Sequence, residues 1–204
     1  FSSDRADTIV LALEVFRALL TVVGSDTFQV SKKGLREGLI IKRVLQGNAT
    51  AYNKYNVFEE SARQLALAYG RTEDEVQTLA KLTEQFYHEC CHLQLFDYHE
   101  ADLKLLIKGA KVYAIGEYIE LDSSSQHTFY LIANQSLPGL SHVNRVKLAL
   151  LASYKNRDYF ERFAQPFETW ISKEELKKIR DFGAVLKFVY ALNMTKRNVV
   201  KRIA

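Results

Sequence analysis

The sequence predicts a mostly α-helical protein with a short α/β segment at its start. Three observations carry that prediction. Two prolines and nine glycines among 204 residues leave few of the breakers that hairpins and loops need, against an average proline content of about 5%. Apolar residues recur at helical spacing over most of the chain. The strand-type pattern is confined to one short run, Thr27-Phe28-Gln29-Val30. Hydrophobic content of 48% and charged content of 25% are those of a folded globular chain, which excludes collagen, a disordered tail and a disulfide-dense miniature.

Taken in order, the first helix is predicted from Asp4 to Val23. Its apolar residues (Ile9, Leu11, Leu13, Val15, Phe16, Leu19, Leu20, Val23) leave only a narrow polar side, so it reads as largely buried and closed by Gly24. The β-type run at Thr27 to Val30 follows, and helical spacing returns after Ser31 through Leu35, Leu39, Ile40, Val44 and Leu45. Residues 1–45 therefore read as helix, strand, helix. Residues 46–56 lack apolar periodicity and read as a linker.

Residues 57–204 read as helical throughout. Asn56 with Glu59, and Thr72 with Glu75, have the acceptor and returning carboxylate of a capping box, so helices are predicted to start near Val57 and Glu73. Further helices are predicted over Glu100–Ile115 ending at Gly116, over Ser124–Gln135 stopping before Leu137-Pro138-Gly139, and from a Ser141 cap to about Lys155. Asp158–Ala164 reads as a short helix, and Ser172 with Glu175 opens a long final one. The sequence contains no internal repeat.

The apolar run Ile9–Val23 is too short, and with Glu14 and Arg17 too charged, to span a bilayer about 30 Å thick. No membrane role is expected. The adjacent Cys90 and Cys91 point about 100° apart on a helix, so pairing between them is not expected, and a cytoplasmic location fits. The one methionine is Met194, so a chain opening at Phe1 is expected to be a piece of a longer protein.

Two segments carry candidate chemistry. His88-Glu89-Cys90-Cys91-His92 fits H-E-x-x-H, in which two imidazoles one turn apart bind zinc while the glutamate activates its water. A third ligand is missing at the expected spacing, so the same residues read as a polar helix face ahead of a metal site, and a zinc metalloenzyme is only the second alternative. Ser31-Lys32-Lys33-Gly34-Leu35-Arg36-Glu37-Gly38 joins the strand to a helix. Its glycines and free amides favour an anion, to which Lys32, Lys33 and Arg36 add charge, but two glycines four apart also serve close packing.

Val30–Leu39, following a helix that begins Asp4-Arg5-Ala6-Asp7, resembles the end of the second actin-like (ribonuclease H-like) domain of the exopolyphosphatase and guanosine pentaphosphate phosphohydrolase family. The rest is similar to the family's helical third domain, which is related to the HD phosphohydrolases. Lys108–Gly116 (KGAKVYAIG) stands where the family has A-A-x-L-H-D-I-G. Gln126–Gly139 is similar to its H-S-x-Y-L-I-x-N-S-x-L-x-G, and Ala184–Asn193 to L-L-R-L-A-D-A-L-D. The resemblance implies an HD-like all-helical domain preceded by an actin-like remnant, in a phosphoanhydride hydrolase whose phosphate loops, catalytic glutamate and Mg²⁺ lie in preceding domains. No D-x-G-S-type phosphate loop occurs in these 204 residues.

At the HD positions this sequence has Tyr113 and Ala114, and later Tyr190 and Asn193, with only His127 keeping its match. One imidazole does not offset the cost of stripping water from a metal ion. The helical part is expected to be inactive as an HD hydrolase, with no cofactor of its own. The resemblance implies polyphosphate or guanosine pentaphosphate as the parent's substrate, and a homodimer as its assembly. The 28 basic against 24 acidic residues give a net charge of +4. Lys104, Lys108 and Lys111 lie at helical spacing and form the second candidate anion group beside Lys32, Lys33 and Arg36. Arg145, Lys147, Lys173, Lys177, Lys178 and Arg180 add charge that a solvated surface also explains. A purely structural, dimerising module is the alternative. Nucleic acid is not expected, since no reading module is present.

Overall fold

A computed structural model describes residues 8–28, 34–47, 57–135, 137–197, 199–200 and 202–203. The chain divides into two compact units, Phe1–Tyr52 and Asn53–Ala204. The first contains α1 (Ile9–Val23) and α2 (Leu35–Gly47). Gly24 at φ +67° closes α1, its amide donating to the Leu20 and Thr21 carbonyls.

Contrary to the prediction of a largely buried first helix, α1 has no buried residue. Leu11 is 70% exposed, and Phe16 packs on Phe28 with ring centroids 4.8 Å apart. The physical reason is that an apolar stripe is buried only by a facing layer, and the described residues of this unit supply none. Thr27 and Phe28 are not in a strand. Gln29 and Val30, the rest of the predicted strand, lie outside the described residues, as do Lys32, Lys33 and residues 48–56 of the predicted linker, whose first two residues, Gln46 and Gly47, are the end of α2 instead.

The second unit is helical throughout its described residues. It runs α3 (Val57–Ala68), α4 (Glu73–His92), α5 (Glu100–Lys111), a 3₁₀ turn (Ile115–Tyr118), α6 (Ser124–Asn134), α7 (His142–Ala152), α8 (Arg157–Ala164), a second 3₁₀ turn (Gln165–Phe167) and α9 (Lys173–Leu192). The predicted capping boxes at Thr72/Glu75 and Ser172/Glu175 are both formed, and Ser141 accepts from the Asn144 amide. No helix of the described residues is long and apolar enough to cross a membrane.

Two cores meet at α7. Leu82, Tyr87, Leu106, Leu151, Phe182 and Leu186 build the larger one from α4, α5, α7 and α9. Phe58, Leu65, Val112, Ile115, Ile132 and Leu148 build the smaller one around α3 and α6. Every residue from Leu148 to Ala152 is buried, as expected of a helix that is apolar all round and lies between two layers. Each fully buried leucine in such a core contributes about 1.5–3 kcal/mol.

Two helix ends fall short of prediction. One is that of α7, which stops at Ala152 where about Lys155 was expected. The fifth helix ends at Lys111, not Ile115, because the chain turns out at Val112–Ala114 to meet α7: the Ala114 amide donates to the Ala152 carbonyl at 3.1 Å. Gly116 therefore caps no helix; it brings the 3₁₀ turn against the start of α6.

Candidate functional site

The turn between α5 and α6 carries the unit's concentration of buried polar groups. Ala114 sits in the left-handed region at φ +53°, a conformation that costs a residue with a Cβ of order 1 kcal/mol and persists only where the surroundings enforce it. Those surroundings are hydrogen bonds from four sides. The Tyr113 hydroxyl donates to the Tyr154 carbonyl at 2.7 Å, and the Gly116 amide donates to Thr128 Oγ1 at 2.9 Å. The Ser125 hydroxyl donates to the Ser153 carbonyl, and the Ala114–Ala152 backbone bond completes the set.

Against this turn lies Arg71, only 6% exposed, the last of the three residues that separate α3 from the cap of α4. One of its terminal nitrogens, Nη2, donates to the carbonyls of Tyr113 and Ala114, both at 3.3 Å, to Glu117 Oε2 at 3.2 Å and to the Tyr190 hydroxyl at 3.0 Å. The guanidinium lies 5.0 Å from the centre of the Tyr190 ring. Tyr190 in turn donates a hydrogen bond to Glu117 Oε2. Carbonyl and carboxylate oxygens converging in this way would suit a hard cation. Here a covalently attached cation satisfies them.

The phenols respond to that environment. Burial pushes Tyr190 up to about 12, with Glu117 adding to the rise and Arg71 opposing it, and burial holds Tyr113 still higher. The sign follows directly. With folded-state values above the ordinary 10, the native protein keeps these protons while the unfolded chain loses them. Stability contributed by the pair is complete below pH 10 and falls as pH rises from 10 towards 12. Burial also pushes Tyr87 up to about 12, so spectrophotometric titration at 295 nm should show three phenols lagging the rest, and Tyr190→Phe should flatten the stability loss above pH 10.

The family model described as Ppx/GppA phosphatase, domain III, matches residues 57–202. The chain belongs to the Ppx/GppA phosphatase family. In this Ppx/GppA domain III, Tyr113, Ala114 and Tyr190, three of the positions compared above with the HD signature, belong to the cluster just described. Tyr113 and Ala114 form the turn, Tyr190 faces Arg71, Asn193 is buried at the end of α9, and half-buried His127 lies beside Gly116. Sequence reasoning missed Arg71 and Glu117. Their partners lie 42 to 119 residues away from Arg71, so no local spacing marks them.

The candidate anion residues are dispersed among other partners. Lys104 pairs with Glu100 on its own helix at 2.6 Å, and Lys111 pairs with Glu59 of α3. Half-buried Lys108 places its ammonium 4.9 Å from the Phe58 ring centre. The Lys104 hydrogen bond holds the Glu100 carboxyl below the usual range, while burial lowers the Lys111 ammonium. Arg36 is exposed on α2, whose first turn already has a carboxylate: Glu37 accepts from the Gly34 amide at 2.9 Å. Lys147 pairs with Glu175 and Lys178 with Asp102, while Arg145 is buried.

The H-E-x-x-H segment ends α4. His88 and His92 are exposed, and His88 stacks on Tyr98 at 5.5 Å. Cys90 is buried in the core, where burial pushes its thiol up, and Cys91 is half-buried. No group of three or more His, Cys, Asp or Glu able to hold a metal occurs among the described residues.

Proposed function

We propose that this chain is the polyanion-holding, dimer-forming C-terminal region of an exopolyphosphatase-type phosphohydrolase, with the phosphate loops, catalytic glutamate and Mg²⁺ supplied outside it. The observation that carries the reading is Arg71. Within a Ppx/GppA domain III, the place where an HD hydrolase would hold its metal is filled by the chain's own guanidinium. What remains for the unit to do with phosphate is to hold it by charge. The proposed contacts are Lys32 and Lys33, which lie outside the described residues, Arg36 in the first turn of α2, and Lys104, Lys108 and Lys111 on α5. Glu100 and Glu59 compete with phosphate for Lys104 and Lys111, which leaves Lys108 as the α5 cation with most to contribute. Both polyphosphate and guanosine pentaphosphate present the linked phosphates such a face would take.

If charge dominates, affinity for long-chain polyphosphate should fall steeply between 50 and 200 mM salt, by about tenfold or more for a few contacts, as the Debye length shrinks. Fluorescence anisotropy with labelled polyphosphate on the full 204-residue chain measures this, and Lys108→Glu should weaken binding at every salt concentration. The ion pairs at Lys104 and Lys111 favour a second reading, in which α5 is a neutralised structural face. Salt-independent affinity that ignores Lys108→Glu while the dimer persists would select it.

A further inference from the structure

A cavity of about 280 Å³ opens beside the Arg71 cluster, between the α5–α6 turn, the first turn of α6, the loop after α7 and the end of α9. Its walls are of two kinds. Leu121, Ala152, Ala191 and Met194 are apolar and the rings of Tyr154 and Tyr190 are flat, while Ser124, Lys155 and Lys187 present polar groups. Two of these groups are cations without a counter-charge. Neither Lys155 nor Lys187 has a carboxylate within 4 Å among the described residues, whereas Lys104, Lys111, Lys147 and Lys178 are each paired.

The two ammonium groups are held in place by backbone. Lys187 Nζ donates to the Lys155 carbonyl at 2.7 Å, and Lys155 Nζ donates to the Asp122 carbonyl at 3.1 Å and lies 5.3 Å from the Tyr159 ring centre. The carboxylate that lines the cavity, Glu117, is balanced by Arg71. The lining therefore has a surplus of two positive charges. The first turn of α6 bears no acidic residue and Ser123 makes no side-chain cap, so that positive helix end is not neutralised from within the helix. Glu120 accepts from the Asp122 and Ser123 amides on the exposed side of the loop, outside the cavity lining.

We propose that this cavity binds a compact phosphate ester with a flat, apolar body: the phosphate at Lys155 and Lys187, the body against Tyr154, Tyr190 and the apolar wall. The volume is just below the usual span of ligand sites, roughly 300 to 1,000 Å³, and suits a molecule no larger than one nucleotide, not a polymer. The site shares no residue with the polyphosphate contacts proposed above and stands whether or not that reading holds.

Calorimetric titration of the full chain with 5′-AMP, adenosine and inorganic phosphate tests it. Saturable AMP binding with Kd below about 1 mM, at least tenfold tighter than either part alone, is the expected result. Lys187→Met should weaken AMP about tenfold and leave adenosine unchanged, and Lys187→Arg should keep most of the affinity. Ala191→Trp, at the exposed rim, fills the space without touching a charge and should abolish binding of AMP and adenosine, so the test survives a poorly folded lysine variant. Absence of saturation at millimolar AMP, or AMP binding indifferent to both Lys187→Met and Ala191→Trp, overturns the proposal. Loss of polyphosphate binding with AMP binding intact overturns only the preceding section's reading.

Discussion

Arg71→Met is expected to cost the second unit about 3–5 kcal/mol, the range for removing one partner from a buried charge pair. Against a total of about 5–15 kcal/mol for a native domain, that takes a large share of the margin. The cost arises because the variant strips donors from buried acceptors: the Tyr113 carbonyl loses its donor, the Ala114 carbonyl keeps only the Glu117 amide, and the Glu117 carboxylate keeps only Tyr190. Glu117 is 25% exposed in its side chain, so water relieves part of its share and the Tyr113 carbonyl bears most of the loss. Urea denaturation read by circular dichroism gives the midpoint shift. Arg71→Lys should recover little, since one ammonium cannot reproduce a planar fork that donates while its face meets the Tyr190 ring. In a double-mutant cycle, Arg71→Met with Glu117→Gln should be less damaging than the sum of the two changes. Strict additivity would show that the pair is not coupled.

Gly116→Ala is the second large effect expected, about 3 kcal/mol or more, at the upper end of what overpacking costs. A Cβ at Gly116 would stand 2.3 Å from the Ser124 carbonyl oxygen, 2.5 Å from the Thr128 amide nitrogen and 2.7 Å from His127 Cβ. Two of these are backbone atoms of α6, so relief requires the helix to move and the Gly116–Thr128 hydrogen bond to stretch. Gly109 is the control. Its added Cβ would meet the Leu151 and Leu186 methyls at 2.7 and 2.8 Å, which can rotate, and alanine returns about 1 kcal/mol of helix propensity. At about 2–4 °C per kcal/mol for a domain of this size, calorimetry should find Gly116→Ala lowering Tm by roughly 6 °C or more and Gly109→Ala by clearly less. Equal shifts would mean that α6 yields as readily as a leucine side chain.

Much of the helical unit was legible in the sequence because its signals are local. Thr72 with Glu75 and Ser172 with Glu175 are contacts within a single turn, so three-residue spacing suffices to predict them, and both form. The landmarks around Tyr113, His127 and Tyr190 likewise located one region of the fold and the family, because motif order survives even where the ligating residues have changed. Two helix ends were read too long. After α5 the apolar run continues through Val112 and Ile115, yet the Ala152 carbonyl draws the chain out of the helix at Ala114. The cap sought at Gly116 is a close backbone approach to α6. The buried character read into α1 depends on a facing layer, which periodicity cannot supply.

The lysines show the same division. Helical spacing put Lys104, Lys108 and Lys111 on one helix, but spacing is silent about Glu59 and Phe58 arriving from α3 to meet two of them. Lys155 and Lys187 are 32 residues apart, and nothing in either neighbourhood marks them as a pair.

From the order of its residues alone this chain has its helical class, its capping signals, its net charge and its family, because each is written in neighbours a few positions apart. Only the packed chain decided that Arg71 would stand among the oxygens of residues 113, 114 and 117, and which cations would keep a carboxylate and which would go without. Those outcomes depend on segments tens of residues apart meeting at hydrogen-bond distance, where burial makes each donor and acceptor count.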